Sequence, residues 1–113
     1  MTKIALVTGA SSGIGKACSL ALLVEGWTVV LVGRRADALQ EAVTAAGANG
    51  VNAVAIPTDL SREPDVQALF EQVRTRFGRL DLLFNNAGIS LPYTLPGDLP
   101  GNEWRRAVDT NLN

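Results

Sequence analysis

Apolar residues fall into two kinds of segment along the chain, and the two kinds alternate. Ile4 to Val7 is a continuous apolar run, as expected for a strand buried on both faces. Trp27 to Val32, Val51 to Ile56 and Leu80 to Phe84 repeat that character, the second of the four runs being dense in β-branched residues. Helical patterns lie between them. Gly13 to Gly26 reads as a helix, nearly apolar after Lys16. Ala36 to Ala46 reads as a second, with Leu39, Val43 and Ala46 on one face and Gly47 to Gly50 ending it. Ser61 is the expected N-cap of a third, with Pro64 in its first turn. Val66, Leu69, Phe70, Val73 and Phe77 then follow at helical spacing until Gly78 stops the pattern. A Pro- and Gly-rich loop, Leu91 to Gly101, comes after the fourth strand. Gly101 or Asn102 is expected to cap a last helix, which the chain end cuts off.

Strands alternating with helices imply βαβ units, right-handed crossovers and a parallel sheet. The expected fold is α/β: a doubly wound sheet with local strand order 3-2-1-4, formed by residues 1–113 as one unit without linker or repeat. The sheet is expected to be incomplete, because the fourth strand is apolar and lacks an outer neighbour. An open apolar edge is an aggregation hazard, a physical reason to expect a fragment.

Composition narrows the chemistry. Ten basic and eleven acidic residues leave a net charge of -1, which suggests no basic face and excludes nucleic acid as a principal partner. There is no histidine, which removes imidazole acid/base catalysis and imidazole metal ligation, and no metal site is expected. The one cysteine, Cys18, cannot form an internal disulfide and reads as a small buried apolar residue of the first helix. The amino-terminal apolar run is too short for a signal peptide, and no stretch approaches the ~18 residues of a membrane span. A soluble, cytoplasmic protein without a membrane partner is expected.

The strongest local signal is Thr8-Gly9-Ala10-Ser11-Ser12-Gly13-Ile14-Gly15, which leaves the first strand and opens the first helix. Gly9 allows a sharp exit from the strand, Gly13 lets backbone approach a pyrophosphate, and Gly15 lets the helix lie near the sheet. The helix N-terminus offers free N–H groups and partial positive charge to phosphates. Gly9, Ser11, Ser12, Gly13, Ile14 and Gly15 are therefore assigned to binding a dinucleotide. A nucleoside-triphosphate loop is rejected. It needs four residues between its glycines and Ser or Thr after its lysine, whereas five separate Gly9 from Gly15 and Ala17 follows Lys16.

With Asn85-Asn86-Ala87-Gly88 after the fourth strand, Thr110-Asn111-Leu112 near the chain end and Asp59 after the third strand, the whole chain resembles the short-chain dehydrogenase/reductase family. The resemblance implies a Rossmann fold and a hydride transfer between a nicotinamide cofactor and a small-molecule carbonyl or alcohol. It places Asp59 and the backbone of Leu60 at the adenine, Asn86, Ala87 and Gly88 along the adenine ribose, and Asn111 in a proton relay. It also implies that the full-length protein is a homo-oligomer.

The end of the second strand bears on cofactor choice. A carboxylate there would bind the 2′-hydroxyl of NAD, and an arginine the 2′-phosphate of NADP. The strand ends Val32-Gly33-Arg34-Arg35, with room at Gly33 and a planar guanidinium fork at Arg34. NADP is therefore expected ahead of NAD, with Arg34 and Arg35 at the phosphate. Ser12 departs from the pattern, since many NADP-dependent members carry a basic residue at that place.

The family's proton donor, a tyrosine with a lysine four residues later, is absent. Gly97 stands four residues after Tyr93, the one tyrosine, and the two lysines are Lys3 and Lys16. Truncation is the simplest account, and the 113 residues alone are expected to show no turnover. Leu91, Pro92, Tyr93 and Leu95 are expected at the substrate rim, while the substrate itself is not legible. The competing reading is a dinucleotide-binding module or remnant without chemistry. Asn111 favours the enzyme, because a pure binder has no use for a proton relay.

Overall fold

A computed structural model describes residues 2–86 and 107–109. The order of elements is β1 (Ile4–Thr8), α1 (Gly13–Val24), β2 (Thr28–Gly33), α2 (Ala36–Ala45), a 3-10 helix (Gly47–Asn52), β3 (Ala53–Pro57), α3 (Glu63–Phe77), β4 (Leu82–Asn85) and β5 (Ala107–Asp109). The strands form one parallel sheet in the order β3-β2-β1-β4-β5. The expected local order 3-2-1-4 is thus present, in a Rossmann-type arrangement.

Strand pleating sorts the core into two layers. Ile4, Leu6, Val30, Val32, Ile56 and Leu83 pack with Val66, Leu69, Phe70 and Val73 of α3. Ala5, Val7, Val29 and Leu31 pack with Leu23 of α1 and Leu39 and Ala42 of α2. All of β1 is buried, which explains its lack of polar alternation.

Local chemistry explains the ends of α3. Glu63 and Asp65 occupy its first turn and Arg74 and Arg76 its last, complementing the helix dipole. Gly78 closes it in the left-handed region at φ 70°, its N–H bonded to the Arg74 carbonyl.

Several boundaries depart from expectation. Arg62, not Ser61, is the N-cap of α3, because the Asp59 carboxylate takes both the Ser61 hydroxyl and the Ser61 N–H. β3 begins at Ala53 rather than Val51, since residues 51 and 52 complete the 3-10 helix. α2 buries Leu39 and Ala42, while Val43 and Ala46 are half-buried. Cys18 is half-buried rather than buried.

The expectation of an open β4 edge is also corrected. Residues 107–109 pair with Leu83, Phe84 and Asn85 as β5, within the region where a last helix was expected. The physical reason is the edge itself: a helix of about a dozen residues is marginal without packing, whereas an unpaired apolar strand offers a row of backbone hydrogen bonds.

At the amino-terminal end of the sheet, Asp81 joins β1 to the start of β4. Its carboxylate accepts from the Ile4 N–H at 2.8 Å, from Arg79 Nε at 2.9 Å and from Arg79 Nη2 at 2.7 Å. The Asp81 N–H donates to the Ile4 carbonyl. Both side chains are largely buried. Among the described residues no helix is long and apolar enough to cross a membrane.

Candidate functional site

The parallel register brings the carboxyl ends of the strands together: Thr8 lies beside Val32 on one side and Asn85 on the other, and Gly33 lies beside Pro57. Ligands of open α/β sheets bind outside these ends, where the strand order reverses. Here β1 is followed in sequence by β2 on one side and has β4 on the other, so the turn after β1 sits at the reversal.

That turn is tied down on both flanks. The Ala10 N–H donates to the Val32 carbonyl at 3.1 Å, and the Thr8 hydroxyl donates to Asn85 Oδ1 at 2.9 Å. Thr8 and Asn85 are each about 1% exposed, so this polar contact lies inside the sheet and ties the end of β1 to the end of β4. Sequence reading placed Thr8 and Asn85 in motifs without seeing that they meet. The signal was two motifs of unknown register.

Within the turn the glycines do different work. Gly13 has φ 59° and no neighbour within 4 Å of where a Cβ would stand. It opens α1 and leaves open space in front of the helix, as a close backbone approach to a ligand requires. Gly15 is buried against its surroundings. A Cβ there would overlap the Gly9 carbonyl oxygen and come within 2.9 Å of the Asn86 amide nitrogen. The first turn of α1 therefore sits directly on the exit of β1, and Asn86 is brought beside it. Ser12, the N-cap, is extended and makes no side-chain cap bond, and α1 carries no acidic residue in its first turn. Its N-terminal N–H groups and dipole thus face outward without a competing anion of their own. Ser11 is half-buried and Ile14 exposed. The Ser11 hydroxyl lies 3.8 Å from a Cβ built at Gly33, so it borders the end of β2.

Beyond that strand end the charged residues gather. Arg34 is exposed and makes no ion pair among the described residues. Arg35 caps α2 and its Nη2 is 3.0 Å from Asp37 Oδ2. A carboxylate therefore stands near this strand end, although none lies in Gly33-Arg34-Arg35 itself. The Thr58 N–H donates to the Gly33 carbonyl at 2.7 Å, which carries the chain from β3 toward Asp59. The exposed Asp59 carboxylate accepts from the Ser61 hydroxyl at 2.6 Å and the Ser61 N–H at 3.0 Å. The Ser61 hydroxyl, then its N–H, hold this carboxyl below the usual carboxylate range, with Arg34 and Arg62 adding to the effect. The Leu60 side chain is buried in the α3 layer. Burial pushes the Cys18 thiol up, away from a reactive thiolate.

The structure thus brings together Gly9, Ser11, Ser12, Gly13, Ile14, Gly15, Arg34, Arg35, Asp59, Leu60 and Asn86 around one end of the sheet. Ala87, Gly88 and Asn111, and the expected rim residues Leu91, Pro92, Tyr93 and Leu95, lie outside the described residues. Among the described residues no group of three or more His, Cys, Asp or Glu could hold a metal ion.

Known proteins resemble this chain in sequence and in fold. The family model described as short chain dehydrogenase matches residues 3–113. The chain is 40% identical over 116 residues to a 3-oxoacyl-[acyl-carrier-protein] reductase of Staphylococcus aureus, covering 99% of this chain and 46% of that protein. An alcohol dehydrogenase from the archaeon Thermococcus sibiricus, solved with 5-hydroxy-NADP, superposes with a TM-score of 0.72 at 33% identity, over 80% of this chain and 39% of that one. A 3-ketoacyl-(acyl-carrier-protein) reductase from Brucella melitensis, solved with NADH, gives 0.68 at 38% identity, over 77% and 34%. The chain spans less than half the length of the curated relatives it matches.

Proposed function

This chain belongs to the short-chain dehydrogenase family, and from that premise we propose that it forms the cofactor-binding part of an NADP-linked oxidoreductase acting on a small carbonyl or alcohol. The observation that carries the choice of cofactor is the end of β2, where Gly33 is followed by an exposed arginine without an ion-pair partner among the described residues. A guanidinium in that state is a ready partner for a 2′-phosphate, which NADP has and NAD lacks.

The residues present fit a dinucleotide. Gly13 leaves open space before the α1 N-terminus, Gly9 and Gly15 let strand exit and helix touch, and Asp59 stands exposed beyond β3. In this reading the first-turn N–H groups of α1 hold the pyrophosphate. Arg34 reads the 2′-phosphate, with Arg35 and the Ser11 hydroxyl beside it. Asp59 and the Leu60 backbone meet the adenine, and Asn86, Ala87 and Gly88 line the ribose. Asn111 serves a proton relay. The nicotinamide supplies or accepts the hydride when bound. The acid/base group belongs to the whole protein. A tyrosine followed four residues later by a lysine occurs nowhere in these 113 residues, so the pair is assigned to sequence outside them. Like its expected self-association, that belongs to the full-length protein.

Two measurements test this. Reading the coding sequence past the codon for Asn113 should reveal a serine followed by Tyr-x-x-x-Lys in frame, and a stop there sinks the enzyme reading. Titration of the full-length protein should show NADPH binding tighter than NADH. Arg34→Ala should weaken NADPH by about tenfold, a loss of ~1.4 kcal/mol in keeping with one charge-assisted contact, and spare NADH. Equal affinities for the two cofactors in the unmodified protein overturn the NADP assignment.

A further inference from the structure

The two arginines that follow β2 are adjacent in sequence but differ in state. Arg34 has no ion pair among the described residues, while Arg35 is engaged by Asp37 at 3.0 Å. Asp37 stands in the first turn of α2, two residues after the Arg35 N-cap, and the Arg35 and Asp37 side chains are 73% and 71% exposed. A pair so exposed is weak and exchangeable, and it stands at the end of β2 in the residues that directly follow Arg34. A 2′-phosphate there would find the Arg34 guanidinium, which has no ion pair among the described residues and lies in the field of Asp59, a second guanidinium already held by Asp37, and the negative charge of that carboxylate.

We propose that Asp37 is a specificity-determining residue of this site: by holding Arg35 it withdraws one of two guanidinium groups from the 2′-phosphate, and so limits the preference for NADP over NAD. The inference rests on the cofactor reading above and adds to it a residue that works against it. Its physical content is a competition. Arg35 can satisfy its fork on Asp37 or on phosphate, and the first choice leaves Arg34 to carry recognition. NADH, which brings a neutral 2′-hydroxyl, is indifferent to the outcome.

Calorimetric titration of NADPH and NADH into the full-length protein and its Asp37→Asn variant tests this. The expected result is NADPH affinity raised about two- to fivefold, the size of an exposed ion pair, with NADH unchanged and the gain shrinking at high salt. In an Arg35→Ala background the same substitution should lose its effect, because the partner it releases is gone. Asp37→Ser, a residue that helix starts accept, serves if the asparagine variant does not fold. If NADPH binding stays the same or weakens on removing Asp37, the inference is overturned and the NADP reading stands. If the gain persists without Arg35, Asp37 acts on the phosphate directly and the proposed route is wrong. If the unmodified protein prefers NADH, the cofactor reading fails first and takes this inference with it.

Discussion

At the scale of single residues, the site is governed by where a side chain is forbidden and where a charge is held. Gly15 is the clearest case, because its neighbour is the backbone carbonyl of Gly9, which cannot swing away as the tip of a flexible side chain can. Gly15→Ala must therefore push α1 off the end of β1. The expected destabilisation is about 1–3 kcal/mol, the range for overpacking, visible as a lower urea midpoint and accompanied by loss of nucleotide binding. Asp59 illustrates the held charge. Its folded value is depressed, chiefly by the Ser61 hydroxyl, so the contact helps the folded state at neutral pH and is lost only as pH falls through that lowered value. In a carboxyl-carbon NMR titration, Asp59 should protonate below an ordinary aspartate, and Ser61→Ala should move it back up toward the usual range. An unchanged titration in that variant would show that the hydroxyl is not the cause.

Helix α3 shows how an element is specified by its own composition and then made necessary by packing. Acidic residues open it, arginines and Gly78 close it, and Val66, Leu69, Phe70 and Val73 form the stripe that covers one face of the sheet. Propensity and capping are worth tenths to about 1 kcal/mol each, whereas the buried stripe contributes several times more. Leu69, 1% exposed, is the sharpest probe. Leu69→Ala should cost about 2–5 kcal/mol in denaturant unfolding. A loss below about 1 kcal/mol would mean that the layer collapses readily around the cavity.

On the scale of the whole molecule, two polar contacts pin β1 to the β4 segment at opposite ends. Thr8 meets Asn85 at the site end, and Ile4 and Arg79 meet Asp81 at the other. The two contacts each bridge a sequence separation of 77 residues and hold β1 against the β4 segment at both ends. Asp81→Ala removes the carboxylate that accepts from Arg79 and from the Ile4 N–H, a change that should cost about 1–3 kcal/mol. Against a domain stability of about 5–15 kcal/mol, thermal unfolding of this variant should begin below that of the unmodified protein. A melting curve that does not move would remove Asp81 from the set of structural anchors.

Much of the fold is legible in the sequence. Continuous apolar runs such as Ile4 to Val7 demand burial on both faces, hence parallel strands, and the helical spacing from Val66 to Phe77 demands a covering layer. The glycine turn is legible as a sharp strand exit into a helix start because glycine geometry and helix dipoles are local properties. Only the tertiary structure could decide what depends on meeting. That Thr8 reaches Asn85, that Gly15 rests on Gly9 and Asn86, and that Ser61 is claimed by Asp59 rather than by α3 are outcomes of register and packing between segments that share no local pattern. The same holds for the outer edge of β4. Residues 107–109 lie where a helix was expected, and they pair instead with β4, whose edge offers backbone hydrogen bonds. Arg34 and Arg35 make the division plain. Their sequence places two cations at the end of β2, and the fold alone decides that one of them is already held.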